Sequence, residues 1–347
     1  MLFEVSQLTK RYDGADALNI PALALAEGRI YGLIGPNGAG KTTLLEILAG
    51  ILPVTTGSVR FKGDPVDSTE SSLPVRRRLT YLAQNPVLFR GSVAENVAYG
   101  LKVRGVRRAQ RTERAARALA EVGLAHLARR DARTLSAGER QRAAFARAIA
   151  IEPEAVLLDE PTASVDQEST EILYALIRLH AERGVGIVFT SHEVPETVIL
   201  ADEILALDKG RLVPSPVANI FSGTIEHTDT RDFVRITDAI RIEVVTDKTG
   251  KAKIAINPHG IVISREPLVS SARNTFEGVI TRIEEKGHLA RITVDCGPEL
   301  VEGPPRAWSR GGLPLVADIT HASRTEMGLV TGMRVHISFK STSVAVY

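Results

Sequence analysis

The sequence predicts an α/β domain followed by a small all-β barrel domain, and three observations carry this. Short continuous apolar runs bounded by turn residues, such as Ile30–Ile34, Ala155–Leu158 and Gly186–Phe189, suit strands buried on both faces of a parallel sheet. Helical patterns alternate with them at Lys41–Ala49 (closed by Gly50), Arg107–Val122, Glu139–Ile151 and Glu168–Glu182. After Pro214 and Pro216 the texture changes to Val, Ile and Thr in period-two stretches: Ile240–Thr246, Lys253–Ile256, Gly278–Ile283, Leu289–Val294 and Arg334–Phe339. We place the domains at residues 1–218 and 219–347. A stretch rich in Gly and Pro, residues 297–312 with the only tryptophan, Trp308, reads as a long hairpin loop inserted into the barrel.

Composition narrows the function. The 347 residues suffice for two cores. Lys plus Arg number 43 against 41 acids, a net charge of +2, which argues against a protein that coats a polyanion. A lone cysteine, Cys296, forms no internal disulfide and fits a reducing compartment. No apolar run reaches the roughly 18 residues a membrane-spanning helix needs, and residues 1–10 lack the pattern of a secretory signal.

The residues Gly35, Pro36, Asn37, Gly38, Ala39, Gly40, Lys41 and Thr42 fit G-x-x-x-x-G-K-[ST] between a strand and a helix, and Thr43 follows. Glycines let successive N–H groups turn towards one centre and cradle phosphate, and the helix N-terminus adds partial positive charge. Lys41 supplies a full charge at the phosphates and Thr42 a hydroxyl for Mg²⁺. The run Ala155–Leu158 ends in Asp159 and Glu160. Asp159 suits the metal, and Glu160 the attacking water. Thr190-Ser191-His192 ends another strand, where ligands of open α/β sheets sit, so His192 is placed to reach a γ phosphate. Ser136-x-x-Glu139 is a capping box. Ala137 and Gly138 within it read as bare backbone for a close ligand, making a second anion-competent helix start.

In this order the motifs resemble the ATP-binding subunit of an ABC transporter, a P-loop NTPase with a helical subdomain, over residues 1 to about 215. The resemblance extends to Gln84, matching a glutamine loop that senses Mg²⁺ and water, to the loop Ala163-Ser164-Val165-Asp166, and to Tyr12, an aromatic that stacks on adenine. It implies a homodimer in which each ATP lies between the phosphate loop of one copy and Ser136, Gly138 and Glu139 of the other. It also implies membrane permease subunits that dock on the helical subdomain, and an extracytoplasmic solute-binding protein, with this chain at the cytoplasmic face of the membrane. An arginine series, Arg104, Arg107, Arg108, Arg111, Arg114 and Arg117, reads as a solvated helix face rather than a nucleic-acid surface.

Residues from about 262 to the end resemble the small β modules that bind molybdate or tungstate and form regulatory tails of such importers. Ser271, Ala272, Arg273 and Asn274, with Lys340 and Ser341, supply the hydroxyls, N–H groups and cations a tetrahedral oxyanion requires. A strand-entry turn and a sheet edge explain the same residues without a ligand. The resemblance implies an importer ATPase for tungstate or molybdate whose tail senses the cytoplasmic anion. Alternatives are an importer ATPase for sulfate or another small solute, and a non-transport ABC ATPase acting on nucleic acid or ribosomes.

Overall fold

The computed structural model describes residues 1–163, 165–215, 217–268, 270–286, 289–297 and 312–347. It divides into two compact units, Met1–Val213 and Pro214–Tyr347.

The first unit holds β1 (Phe3–Tyr12), β2 (Ala15–Leu25), β3 (Ile30–Ile34), α1 (Lys41–Leu48), β4 (Thr56–Phe61), β5 (Asp64–Pro65), α2 (Leu73–Arg76), β6 (Leu79–Leu82), α3 (Val93–Val103), α4 (Arg108–Glu121), α5 (Ala137–Ile149), β7 (Ala155–Leu158), α6 (Gln167–Glu182), β8 (Gly186–Thr190), α7 (Val194–Leu200), β9 (Glu203–Asp208) and β10 (Arg211–Val213). A six-stranded sheet runs β10-β9-β3-β8-β7-β6, parallel except for β10. The residues of β3, β7 and β8 are all buried, as continuous apolar runs require. A second sheet, β2-β1-β4-β5, is antiparallel. Reading the whole region as alternating strands and helices passes over this sheet. Its signal is the alternation of β1, where Phe3, Val5 and Leu8 are buried and Glu4 and Ser6 exposed.

Helix α3 lies where the resemblance places the helical subdomain, after Gln84, and Ser92 and Glu95 form a full capping box at its start. Helix α5 starts two residues before the expected Glu139, because Ser136 is the N-cap. Pro195 lies in the first turn of α7, the position where a missing N–H costs nothing. On α4, Ala115, Ala118 and Leu119 are buried, and Arg114 pairs with Glu152 at 3.0 Å. No helix among the described residues is long and apolar enough to cross a membrane.

The second unit holds β11 (Ala218–His227), β12 (Asp232–Arg235), β13 (Arg241–Val244), β14 (Lys251–Ile256), β15 (Val262–Ser264), β16 (Asn274–Lys286), β17 (Leu289–Cys296), β18 (Leu313–Thr320), α8 (His321–Met327), β19 (Arg334–Phe339) and β20 (Val344–Val346). Two five-stranded antiparallel sheets, β13-β12-β11-β14-β20 and β15-β19-β16-β17-β18, share a core of Ile, Val and Leu with Phe339. The strands flanking the expected insertion pair antiparallel, with Cys296 opposite Leu313. Most of that loop, Trp308 included, lies outside the described residues, as do Ser164 and Pro216.

Candidate functional site

Parallel strands of one sheet deliver their C-terminal ends to the same edge, and the polar residues after β3, β7 and β8 meet there. Gly40, the N-cap of α1, has φ 101°, a left-handed conformation that a side chain adopts only with strain. A Cβ there would also lie 2.7 Å from Leu18 Cδ2. Lys41 is buried, and its Nζ donates to the carbonyls of Gly35 at 2.8 Å and Pro36 at 3.2 Å, bracing the loop. A cavity of about 510 Å³ opens over this helix start. It is lined by Asn37, Gly38, Ala39, Gly40, Lys41, Thr42 and Thr43 on one side, by Gln84, Glu160 and His192 on the other, and by Ala17 of β2. The sequence signals for those three side chains lie far apart, and the fold places them on one wall.

Asp159 is buried, and its carboxylate collects hydroxyl donors. Thr42 Oγ1 donates to Oδ2 at 2.8 Å and Tyr81 OH to the same oxygen at 3.3 Å, while Thr190 Oγ1 donates to Oδ1 at 2.6 Å. Burial, and then the negative charges of Asp159 and Glu46, push the Tyr81 hydroxyl far above its usual range, so it remains a donor. A carboxylate beside a hydroxyl is an oxygen donor set that suits a hard cation such as Mg²⁺, which takes only one or two protein ligands and completes its shell with phosphate and water. No cluster of three or more His, Cys, Asp or Glu that would hold a metal by itself occurs among the described residues.

Glu160 sits at φ 43°, left-handed for a non-glycine residue. Its Oε2 accepts from Gln84 Nε2 at 2.8 Å and lies 3.3 Å from His192 Nδ1. The imidazole is half exposed, and its Nε2 is 3.5 Å from Glu193. Glutamine, glutamate and histidine therefore form one contact chain over the phosphate loop. Tyr12 stands at the end of β1, 47% exposed, with Lys10 Nζ 4.9 Å above its ring, and it does not line the cavity.

The second helix start is a separate place on the same unit. Ser136 is exposed, and its side chain accepts from Glu139 N at 3.2 Å while Glu139 Oε2 accepts from Ser136 N at 2.8 Å. These hydrogen bonds lower the Glu139 pKa, the backbone N–H first. Gly138 corrects the sequence reading: it is buried rather than bare. A Cβ there would lie 2.2 Å from Ser169 Oγ and 2.9 Å from Asp166 Oδ2, so its missing side chain admits the start of α6. Asp166 is the N-cap of that helix, accepting from Ser169 N at 2.9 Å, and this bond holds its carboxyl below the usual range.

In the second unit, pairing of Asn274 with Phe339 brings Ser271, Ala272, Arg273 and Asn274 to the same strand ends as Lys340 and Ser341. Ser271, Arg273 and Lys340 are exposed. Ala272 N donates to Ser270 Oγ at 3.1 Å. Asn274 is a correction: its side chain is buried, with Oδ1 accepting from Glu243 N at 2.7 Å and Nδ2 donating to Glu243 O at 2.9 Å. Its amide joins β16 to β13 and is no longer free for an anion. Sequence reasoning also overlooked Thr190 and Tyr81 as partners of Asp159. Thr190 carried a signal, a hydroxyl two residues before His192 at a strand end, whereas Tyr81 looks in sequence like a strand aromatic.

The ABC transporter family matches residues 18–163, and the TOBE domain family residues 270–346. Among relatives, the molybdate/tungstate import ATP-binding protein WtpC of Pyrococcus abyssi is 35% identical over 332 residues, covering 91% of each chain. The molybdenum import ATP-binding protein ModC of Mycobacterium tuberculosis is 32% identical over 372 residues, covering 99% of this chain and 98% of the relative. A solved structure, cbiO1 of Clostridium perfringens, described as part of the ABC transporter complex cbiONQ, aligns with a TM-score of 0.57 at 27% identity, covering 61% of this chain and 87% of that one. With a phosphate loop, the capping box at Ser136 and a carboxylate pair in that family's order, the chain belongs to the ATP-binding subunits of ABC transporters and is an ATPase, with a TOBE domain following its nucleotide-binding domain in the sequence.

Proposed function

We propose that this ATPase powers an importer of molybdate or tungstate, and that its second unit senses the imported oxyanion in the cytoplasm. The observation that carries the substrate class is the reach of the similarity. Relatives named for molybdate/tungstate or molybdenum import match through 84% to 100% of this chain, second unit included. A sulfate/thiosulfate import protein of Vibrio cholerae matches over only 62% of it.

In this reading the residues act as follows. Lys41 and the loop amides hold the β and γ phosphates. Thr42 and Asp159 hold Mg²⁺, which when bound neutralises charge on those phosphates. Glu160 takes the proton of the attacking water, His192 donates to the γ phosphate, and Gln84 joins this wall to the helical subdomain. Ser136 lines no part of its own copy's cavity, which supports a head-to-tail homodimer in which it closes over the partner's nucleotide. ATP then bridges two copies, and hydrolysis removes the bridge. The dimer works at the cytoplasmic face of the membrane on permease subunits that a solute-binding protein loads. Ser271, Arg273 and Lys340 form the exposed part of the sensing site.

The test is ATP-dependent uptake in liposomes carrying this chain and its permease subunits, supplied with loaded solute-binding protein. Uptake of tungstate or molybdate, and slowing of ATP hydrolysis by either anion on the side of this chain, is expected. Uptake of sulfate alone would replace the substrate class.

A further inference from the structure

The structure assigns to Thr190 the role of a positioning residue that fixes the metal-side carboxylate Asp159 and the backbone of Glu160 through one hydroxyl. This rests on the reading of Asp159 as the carboxylate that faces the nucleotide-bound cation.

Leu158 of β7 pairs with Phe189 of β8, so Asp159 and Thr190 are the next residues along two adjacent parallel strands. Thr190 also pairs with Leu33 on the β3 side, and it is fully buried. A β-branched residue suits such a central strand, but valine would fit the same space without a polar group. The hydroxyl therefore needs an explanation, because a buried hydroxyl is costly without partners. It has two. Its proton goes to Asp159 Oδ1 at 2.6 Å, and its oxygen accepts from Glu160 N at 2.9 Å.

Those two bonds use the group's one proton and leave it no freedom to rotate. Asp159 Oδ1 is thereby turned towards β8. The other oxygen, Oδ2, is left beside Thr42 Oγ1 at 2.8 Å, and Thr42 lines the cavity where the cation belongs. The same hydroxyl anchors the N–H of a residue at φ 43°, the strained backbone that aims Glu160 at Gln84 and His192. The chain then leaves β8 through Ser191 to His192, so the residue that holds Asp159 and Glu160 lies two positions before the third site residue. Outer partners of metal-holding carboxylates behave in this way: they touch no ligand, yet they decide which oxygen is presented.

The test measures metal binding apart from turnover. In a Glu160→Gln background, ATP-dependent binding of Mn²⁺ is titrated by the loss of the free-ion electron paramagnetic resonance signal, and ATP binding is measured separately in chelator. Thr190→Val is expected to raise the Mn²⁺ half-saturation by about 10- to 100-fold, while Thr190→Ser stays within about threefold of the parent. Metal-free ATP binding should not move in either. Thr190→Cys, whose thiol is a weak donor, should fall between them, and it carries the test if the valine variant fails to fold. Parental Mn²⁺ affinity in a folded valine or cysteine variant would overturn the role of Thr190 alone. Absence of ATP-dependent Mn²⁺ binding in the parent would instead overturn the reading of Asp159, and the inference with it.

Discussion

The strand ends after β7 and β8 and the strand ends of β16 and β19 both gather polar residues, yet they are built differently. At the first, Thr190, Thr42 and Tyr81 all donate hydrogen bonds to Asp159, and Gln84, Glu160 and His192 form a further chain of contacts. At the second, Ser271, Arg273 and Lys340 face solvent, and the one buried amide, Asn274, is spent on the backbone of β13. The difference follows the task. Phosphoryl transfer needs charge held in fixed positions, which a hydrogen-bonded network supplies. Reversible sensing of a hydrated anion needs only groups free to close on it, and exposed loops supply those.

The largest expected effect breaks the first region alone. Glu160→Gln should cut ATP hydrolysis by about 10²- to 10⁴-fold, the range for a lost general base. It should retain ATP and accumulate an ATP-loaded dimer, read by steady-state turnover and by size-exclusion chromatography with light scattering. Turnover near the parental rate would mean that another group activates the water.

A medium effect sharpens the contrast within the second region. Asn274→Ala leaves the N–H and C=O of Glu243 without their partner and should cost about 1–3 kcal/mol of stability. Arg273→Ala, at an exposed position, should change stability by no more than about 0.5 kcal/mol and weaken tungstate binding instead. Denaturant melts and calorimetric titration of the full chain separate the two. The opposite ranking would return Asn274 to the anion site and make Arg273 structural.

The smallest effect gives the two units opposite responses to pH. In the first, His180 is buried, 5.8 Å from the Phe145 ring and beside Glu121 and Arg183. Burial pushes its pKa below the ordinary 6.5, with Glu121 opposing and Arg183 reinforcing. The unfolded chain then takes the proton first, so this unit loses stability as pH falls below 6.5. In the second, His227 Nδ1 lies 2.8 Å from Asp232 Oδ1 and Nε2 lies 2.9 Å from Lys248 O. Both contacts raise its pKa, the Asp232 bond most. Its contribution is complete below 6.5 and is lost as pH rises through the elevated value. Asp232→Asn should therefore lower the melting temperature at pH 5.5 more than at pH 8.5, and His180→Gln should flatten the acid loss. Equal shifts at both pH values would remove the charged form from the account.

How much of this was legible depends on the range of the interaction. The phosphate loop, the capping box at Ser136 and the strands β3 and β7 are local: loop geometry, a hydrogen bond over three residues, or a run of apolar side chains specifies each. The carboxylate pair and His192 were legible as strand-end residues, and the family order gave them roles. The antiparallel β1, β2 and β4 sheet was not read, because half-buried strands interleave polar residues that hide the apolar face.

By itself the sequence determined that this chain grips a triphosphate and belongs with the ATP-binding subunits of ABC transporters. Those properties reside in contiguous residues whose backbone geometry is set by glycine, by capping side chains and by strand-to-helix turns. Only the tertiary structure decided that Gly138 makes room for α6, that the Asn274 amide is occupied, and that Thr190 and Tyr81 serve Asp159. Each of these is a contact between residues 28 to 78 positions apart or between elements that meet only in the folded state, and a buried polar atom acquires its partner there because leaving it unpaired costs more than the bond returns.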